Sequence, residues 1–441
     1  MTTLTVAGRQ LVLSPRLAYR AARAEVARTP RALKAWYGLL LVLMAFGAVG
    51  AALTITPGAE SFGTTPSFEW GLLISAYVFF AITTSGLCLG SSLGTVFGID
   101  MFRPLEKRHA ILAVLSLTTA FGIIALDLHY PVRLALGAVF NPSLSSPMWW
   151  MGAFYAVYLV FLLVEVWSMF TGHDHIHRYA CLASSCTAVL APSTLGAVFG
   201  MVLARSYWYG LFTPITMLVT ALLAGSALLG IAFYFVVRFR LAGFERGRRV
   251  AMPSIGILMA VGLVGSLVLL CRGLLAGLTS ADAAFHGATM ALLSGPLAIP
   301  FWIRLIGGLA VPLVLLALPR TRTVVGIGVA SALAFAGVMV DRTLFVAAGQ
   351  IMPTTAVGGV VSDGYVAYTP SLVEISIVVA AFAFVAFVYT LAERYLDLRE
   401  AEAHVGFHLP ASLVTALGRL ATRRRAARSL EAADDLPGAG T

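Results

Sequence analysis

Apolar residues in this chain do not alternate with polar ones; they run on. Ten stretches are continuously hydrophobic, near residues 37–56, 71–98, 109–128, 149–171, 178–203, 211–236, 254–272, 293–318, 322–341 and 371–392. A membrane-crossing helix needs roughly 20 apolar residues, whereas a strand of a membrane barrel alternates with period 2 over about ten residues. The pattern predicts an all-α polytopic membrane protein with about ten transmembrane helices. One membrane domain, 37–392, is expected between a basic N-terminal segment, 1–36, and a polar C-terminal tail, 393–441. The end of that tail, "RRRAARSLEAADDLPGAGT", has the composition of a partly disordered segment.

Composition removes the soluble alternatives. Charged residues make up 11% of the chain against 59% hydrophobic ones, while soluble domains carry about 25% charged residues. The formal charge of +10 raises nucleic acid as a partner, but the basic residues are distributed as in a membrane protein. Of 30 Lys and Arg, 25 fall in the N-terminal segment, in every second loop and in the tail. The rest are single arginines at the other end of the bundle: Arg133, Arg205, Arg272, Arg304 and Arg342. By the positive-inside rule both termini are cytoplasmic, and no role with nucleic acid is expected. The first run starts after 36 residues and is long enough to span, so it reads as a retained helix rather than a cleaved signal. The stretch before it, "RLAYRAARAEVARTPRALKAW", is either a surface helix on anionic lipid or a solvated tail.

An ionised side chain within a bilayer costs roughly 2.5–3.5 kcal/mol on insertion scales, so its placement carries information. Glu69, Asp127, His129, Arg133, Arg272, Asp282, His286, Arg304, Asp341, Arg342 and Glu374 all map at or near the non-cytoplasmic helix ends. The single-residue explanation is snorkelling or local pairing, and for Glu374 a favourable helix N-terminus. Glu165 alone sits deeper, toward the cytoplasmic third of the fourth run, where Ser168 or a backbone group of the same helix would satisfy it. The eight histidines lie near helix ends, in loops or in the tail, so no pair is placed to ligate a haem. Cys88, Cys181, Cys186 and Cys271 fall inside runs without a C-x-x-C pair, so they read as buried inert thiols rather than cluster ligands or disulfides. The run "GHDHIHR", 172–178, sets histidines alternately on a short cytoplasmic loop without further ligands, and no metal site is expected.

Several stretches resemble the NrfD/PsrC polysulfide reductase membrane subunits, a family that includes HybB-like and alternative complex III subunits. "FEWGLLISAYVFFAITTSG" (68–86) is similar to the family's Trp-Gly, Tyr, small-residue helix. "LDLHYPVR" followed by "NPSLSSPMWW" is similar to its Asp-Leu-Gly-Arg-Pro and Ser-Pro-Met-x-Trp loop, with His129-Tyr130 in place of Gly-Arg and Arg133 beyond the proline. "YWYGLFTPITML" (207–218), "DRTLFVAAGQ" (341–350) and "YTPSLVEI" (368–375) follow in the family's order. In the fifth run "APSTLGAVFG" has Ala191 where HybB-like members carry a histidine.

The resemblance implies two four-helix bundles with flanking helices and no haem or iron-sulfur cluster in this chain. It implies a quinone, menaquinone or ubiquinone, bound near the periplasmic face of the bacterial inner membrane. An iron-sulfur electron-transfer subunit docked there would exchange electrons with it, alongside a catalytic subunit or cytochrome. The chain is then not expected to be active alone. Quinone chemistry moves two protons with two electrons, which calls for an apolar slot, carbonyl partners and titratable groups. Asp127, at the edge of hydrocarbon, is the first candidate for proton transfer, with His129 and Glu69 beside it. Tyr77, Arg133, His286, Arg304 and Glu374 are candidates for holding the ring, and Glu165 for a proton pathway from the cytoplasm. Pairing of Asp127 with Arg133 across Pro131 is the structural alternative. A secondary transporter, on the strength of the Pro and Gly interruptions in "APSTLG" and "SGPLAIP", and a passive membrane anchor are the competing functions.

Overall fold

Among the described residues, ten helices long and apolar enough to cross a membrane account for the ten runs. The structure is a computed structural model that describes residues 3–6, 9–12, 30–55, 62–128, 142–239, 245, 247–353, 364–396 and 398. A short antiparallel hairpin, β1 (Thr3–Val6) and β2 (Arg9–Val12), comes first. The spans are α1 (Arg31–Ile55), α2 (Leu72–Thr95), α3 (Glu106–Asp127), α4 (Pro147–Thr171), α5 (Asp174–Gly200), α6 (Phe212–Arg238) and α7 (Met252–Leu278). After a short helix, α8 (Ala283–Leu293), come α9 (Ala298–Ala317), α10 (Val324–Ala348) and α11 (Leu372–Tyr395). With an even number of spans, α1 begins and α11 ends at one face, here the terminal face.

Spans α2 to α5 close one four-helix bundle and α6, α7, α9 and α10 a second, joined through α2 and α6. The flanking pair, α1 against α11, lies along the first bundle. Hydropathy does not identify the centre: α1 and α2 are equally apolar, yet most of α2 is buried and most of α1 is not. The difference lies in small residues, because lipid offers no hydrophobic force between helices and close packing must supply the attraction. Gly86 of α2 meets Gly225 of α6 so closely that a Cβ on Gly86 would lie 1.6 Å from the Ala221 carbonyl oxygen.

Several boundaries differ from the hydropathy reading, and three of them, each at a charge, bear on the buried polar groups. Span α10 continues past the expected end at 341 to Ala348, which places Asp341 and Arg342 well inside it. Their mutual pairing neutralises charge within the helix, so the run of polar residues does not end it. Span α5 begins at Asp174, so part of the GHDHIHR run is first helical turn rather than loop. Span α3 begins at Glu106, which draws His109 into the bundle, fully buried. Within α9 a π-helical stretch, Arg304–Ala310, carries Arg304. The stretch 13–29 and the tail beyond 398 lie outside the described residues.

Candidate functional site

At the face opposite the termini, α2 starts without a side-chain cap of its own. Its first amide, Leu72 N–H, donates instead to the Tyr368 hydroxyl at 2.6 Å and to Glu374 Oε1 at 3.2 Å. Glu374 also accepts from the Tyr368 hydroxyl at 2.7 Å, from Gly63 N–H at 2.9 Å and from Ser371 N–H at 2.8 Å. Ser371 returns the last contact by accepting Glu374 N–H, a capping box at the start of α11. One carboxylate thus caps two helices. Gln350 completes the latch by accepting Trp70 N–H and donating to Trp70 O, each at 2.9 Å. Burial, and after it the Glu374 carboxylate, push the Tyr368 phenol well above its ordinary value, so it remains a donor.

Asp127, the last residue of α3, lies within electrostatic range of Glu374 in this latch. It is half-buried, and among the described residues its carboxylate has no hydrogen-bond partner. Tyr77 lies buried below on α2 with its hydroxyl 3.8 Å from Met151 Sδ on α4. His129 and Arg133 fall outside the described residues, as does any pairing of Arg133 with Asp127. Glu69 does not join the group; it is exposed, and the charge acting with it is that of Arg205, which donates to Met352 O at 3.1 Å. His286 is likewise elsewhere, its Nδ1 3.2 Å from Gly277 O where α8 folds back on α7. Asp282 caps α8 by accepting Ala284 N–H at 2.9 Å. Glu374, expected as a ring-holding group, has both carboxylate oxygens engaged by these donors, so its geometry is that of an anchor.

The second bundle holds a separate charged group. Arg304 donates to Asp341 Oδ1 at 2.7 Å, while Arg342 pairs with Asp341 Oδ2 and points its other amino group at Met217 Sδ. Two guanidinium groups and one carboxylate are buried together, and Arg304 Nε has no partner among the described residues. An aromatic cluster separates the two groups. Trp70 stacks on Trp208 with centroids 5.0 Å apart, and Phe199 packs edgewise on both indoles and on Phe345. Trp208 Nε1 donates to Phe345 O at 2.7 Å, and Gly349 leaves room for the indole, where a Cβ would lie 1.9 Å from it.

A third polar group sits in the first bundle toward the terminal face. Glu165 accepts from Ser184 Oγ at 2.6 Å and lies 3.4 Å from His109 Nε2, which is 2.6 Å from Ser91 Oγ. Ser168, the partner expected on the same helix, donates to the Glu165 backbone carbonyl and not to its carboxylate. Neighbouring polar side chains continue away from it along α2 and α4: Cys88 Sγ is 3.7 Å from Ser184 Oγ, and the Tyr158 hydroxyl donates to Thr84 O at 3.2 Å. The Ser85 and Tyr155 hydroxyls, buried nearby, lack protein partners among the described residues. Of the cysteines, Cys88 and Cys181 are buried, but Cys186 and Cys271 are exposed on the helix surface, contrary to the reading of four buried thiols.

His109, Gln350 and Tyr368 are the side chains that sequence reasoning missed. For His109 a depth count would have found it, since a lone buried acid needs a partner at its own level. Gln350 and Tyr368 stand within the motifs quoted above, but nothing in the motif says that both clamp the start of α2.

The profile described as "Polysulphide reductase, NrfD" matches residues 60–354. A relative described as "Hdr-like menaquinol oxidoreductase integral membrane subunit", from Archaeoglobus fulgidus, is 25% identical over 82% of this chain and 93% of its own length. A selenate reductase subunit of Mesobacillus selenatarsenatis is 23% identical over 73% of this chain and 83% of its own. A putative dimethyl sulfoxide reductase membrane subunit of Halobacterium salinarum is 25% identical over 83% and 92%. With ten apolar spans and a family match across both bundles, the chain is a multi-pass membrane protein that belongs to the polysulphide reductase NrfD family.

Proposed function

We propose that this chain is the quinone-reactive membrane subunit of a multisubunit respiratory oxidoreductase, and that quinone or quinol is its substrate at the Asp127 group. The observation that carries the reading is the contrast between two neighbouring carboxylates. Glu374 is saturated by backbone and phenol donors, while Asp127, within reach of its charge, has no hydrogen-bond partner among the described residues. One acid anchors; the other is left to exchange a proton. The residue types suit a quinone ring: a carboxyl at the membrane boundary, with the buried Tyr77, whose hydroxyl lies 3.8 Å from Met151 Sδ, on the same half of the first bundle. His129 and Arg133, the next residues along the chain, are assigned to the same site as carbonyl partners. The relatives' descriptions, one naming menaquinol and two naming reductases, support the same class.

By the positive-inside rule the terminal face is cytoplasmic and the Asp127 group faces the periplasm, in a bacterial inner membrane. An iron-sulfur subunit docks there and exchanges electrons with the substrate, and a catalytic subunit or cytochrome completes the complex. Asp127 holds or releases the proton at its carboxylate as the ring gains or loses electrons. Glu165, linked to His109 and Ser184, supplies a buried relay on the cytoplasmic side. Purification in mild detergent from native membranes tests the assignment. An iron-sulfur protein and quinone should co-purify with the chain, and isolation of the chain without either contradicts the reading.

A further inference from the structure

As a loop, the GHDHIHR run has no further ligands; as the first turn of α5 it acquires two. His177 and Cys181 lie one turn apart on the same face of that helix, opposite Glu106, the first residue of α3. Glu106 Oε1 is 2.5 Å from His177 Nε2, and Cys181 Sγ is 3.5 Å from the same nitrogen. The three potential ligand atoms all lie within 4.8 Å of one another. We propose that Glu106, His177 and Cys181 form a binding site for a divalent transition-metal ion of the zinc class near the terminal face.

The donor chemistry supports that class. A carboxylate, an imidazole and a thiolate are the oxygen, nitrogen and sulfur donors that Zn²⁺ accepts, and the two anionic ones balance its charge. A plain His–Glu pair accounts for the first contact but does not require a cysteine alongside the ring, its Sγ 3.5 Å from Nε2 and 3.8 Å from Nδ1. Ser168 Oγ lies 3.4 Å from His177 Nδ1, so the ring is held from behind with its other nitrogen toward Glu106, as a ligating histidine is oriented. Glu106 and Cys181 are buried while His177 is partly exposed, so the cluster opens to the outside on the histidine side. The ion would fasten α3 to α5, the two helices that supply His109 and Ser184 to Glu165. The site stands independently of the quinone assignment.

Equilibrium dialysis of the detergent-purified complex against Zn²⁺, after chelator treatment, tests it. Wild type should take up one equivalent that C181S and H177A lose or bind at least about 10-fold more weakly. C186S, altered at an exposed thiol, should retain it. Zinc-edge X-ray absorption of the loaded wild type should show one sulfur neighbour near ~2.3 Å that is missing in C181S. Recovery of each variant with its complex at wild-type yield separates lost ligation from misfolding. The same zinc content and the same sulfur neighbour in wild type and C181S overturn the proposal, as does a wild type that takes up none.

Discussion

His109 Nε2 on α3 lies 3.4 Å from Glu165 Oε1 on α4, with both side chains shut away from the surface. Removing one member of a buried pair strands the other and costs about 3–5 kcal/mol. Glu165→Ala should therefore depress the apparent Tm of the purified complex strongly, whereas Glu165→Gln, which can still accept from Ser184, should depress it less. If Glu165 relays protons, the assembled Glu165→Gln complex should also turn over quinone about 100-fold more slowly. A Glu165→Ala complex with wild-type Tm contradicts the pairing.

Glu374 gathers donors from three chain segments: Gly63, Leu72 and the 368–371 turn. Glu374→Ala leaves the part-buried Gly63 and Ser371 N–H groups unpaired, each at a cost of up to about 1–3 kcal/mol, while Leu72 N–H keeps the Tyr368 hydroxyl; Tyr368→Phe removes one hydroxyl from the network. The expected order of thermal stability is wild type, then Tyr368→Phe, then Glu374→Ala. Limited proteolysis around residues 62–72 should accelerate in the same order. An unchanged cleavage rate in Glu374→Ala would show that this carboxylate does not latch α2.

Tyr207 lies in the connection between α5 and α6, and burial pushes its phenol from an ordinary 10.0 up to about 12. Between those values the unfolded chain has released this proton and the folded chain retains it. The unfolded state then binds fewer protons, so stability falls as pH rises from about 10 toward 12. Tyrosinate absorbance of the folded protein at pH 11 should be the same in wild type and Tyr207→Phe, and the alkaline loss of stability should be shallower in the variant. A clear drop in absorbance in the variant at pH 11 would place Tyr207 in contact with solvent.

The ten spans are legible because hydropathy over roughly 20 residues has one structural solution in lipid, the helix. Charges are less legible. Asp341 and Arg342 look like a helix end, yet Arg342 and Arg304 both pair with the Asp341 carboxylate inside the second bundle. His109 looks like a helix-start residue, yet it is the partner Glu165 needs, because pairing across helices depends on depth and rotation that no single run states. The cluster of polar residues expected at one face divides into the Asp127 latch, the Arg304–Asp341–Arg342 group, the Glu69–Arg205 rim and His286. Tyr368, Glu374 and Gln350 stand within the quoted motifs, but no motif states what their hydrogen bonds show, that all three hold the start of α2 in place.

In the proposed function Asp127 carries the proton for quinone chemistry while Glu374 anchors the fold. Quinol-linked turnover of the intact complex bearing Asp127→Asn, with assembly and thermal stability followed in parallel, separates these two roles. The expected result is a complex assembled at wild-type yield and stability with turnover abolished. Wild-type turnover in the assembled variant would contradict the role of Asp127.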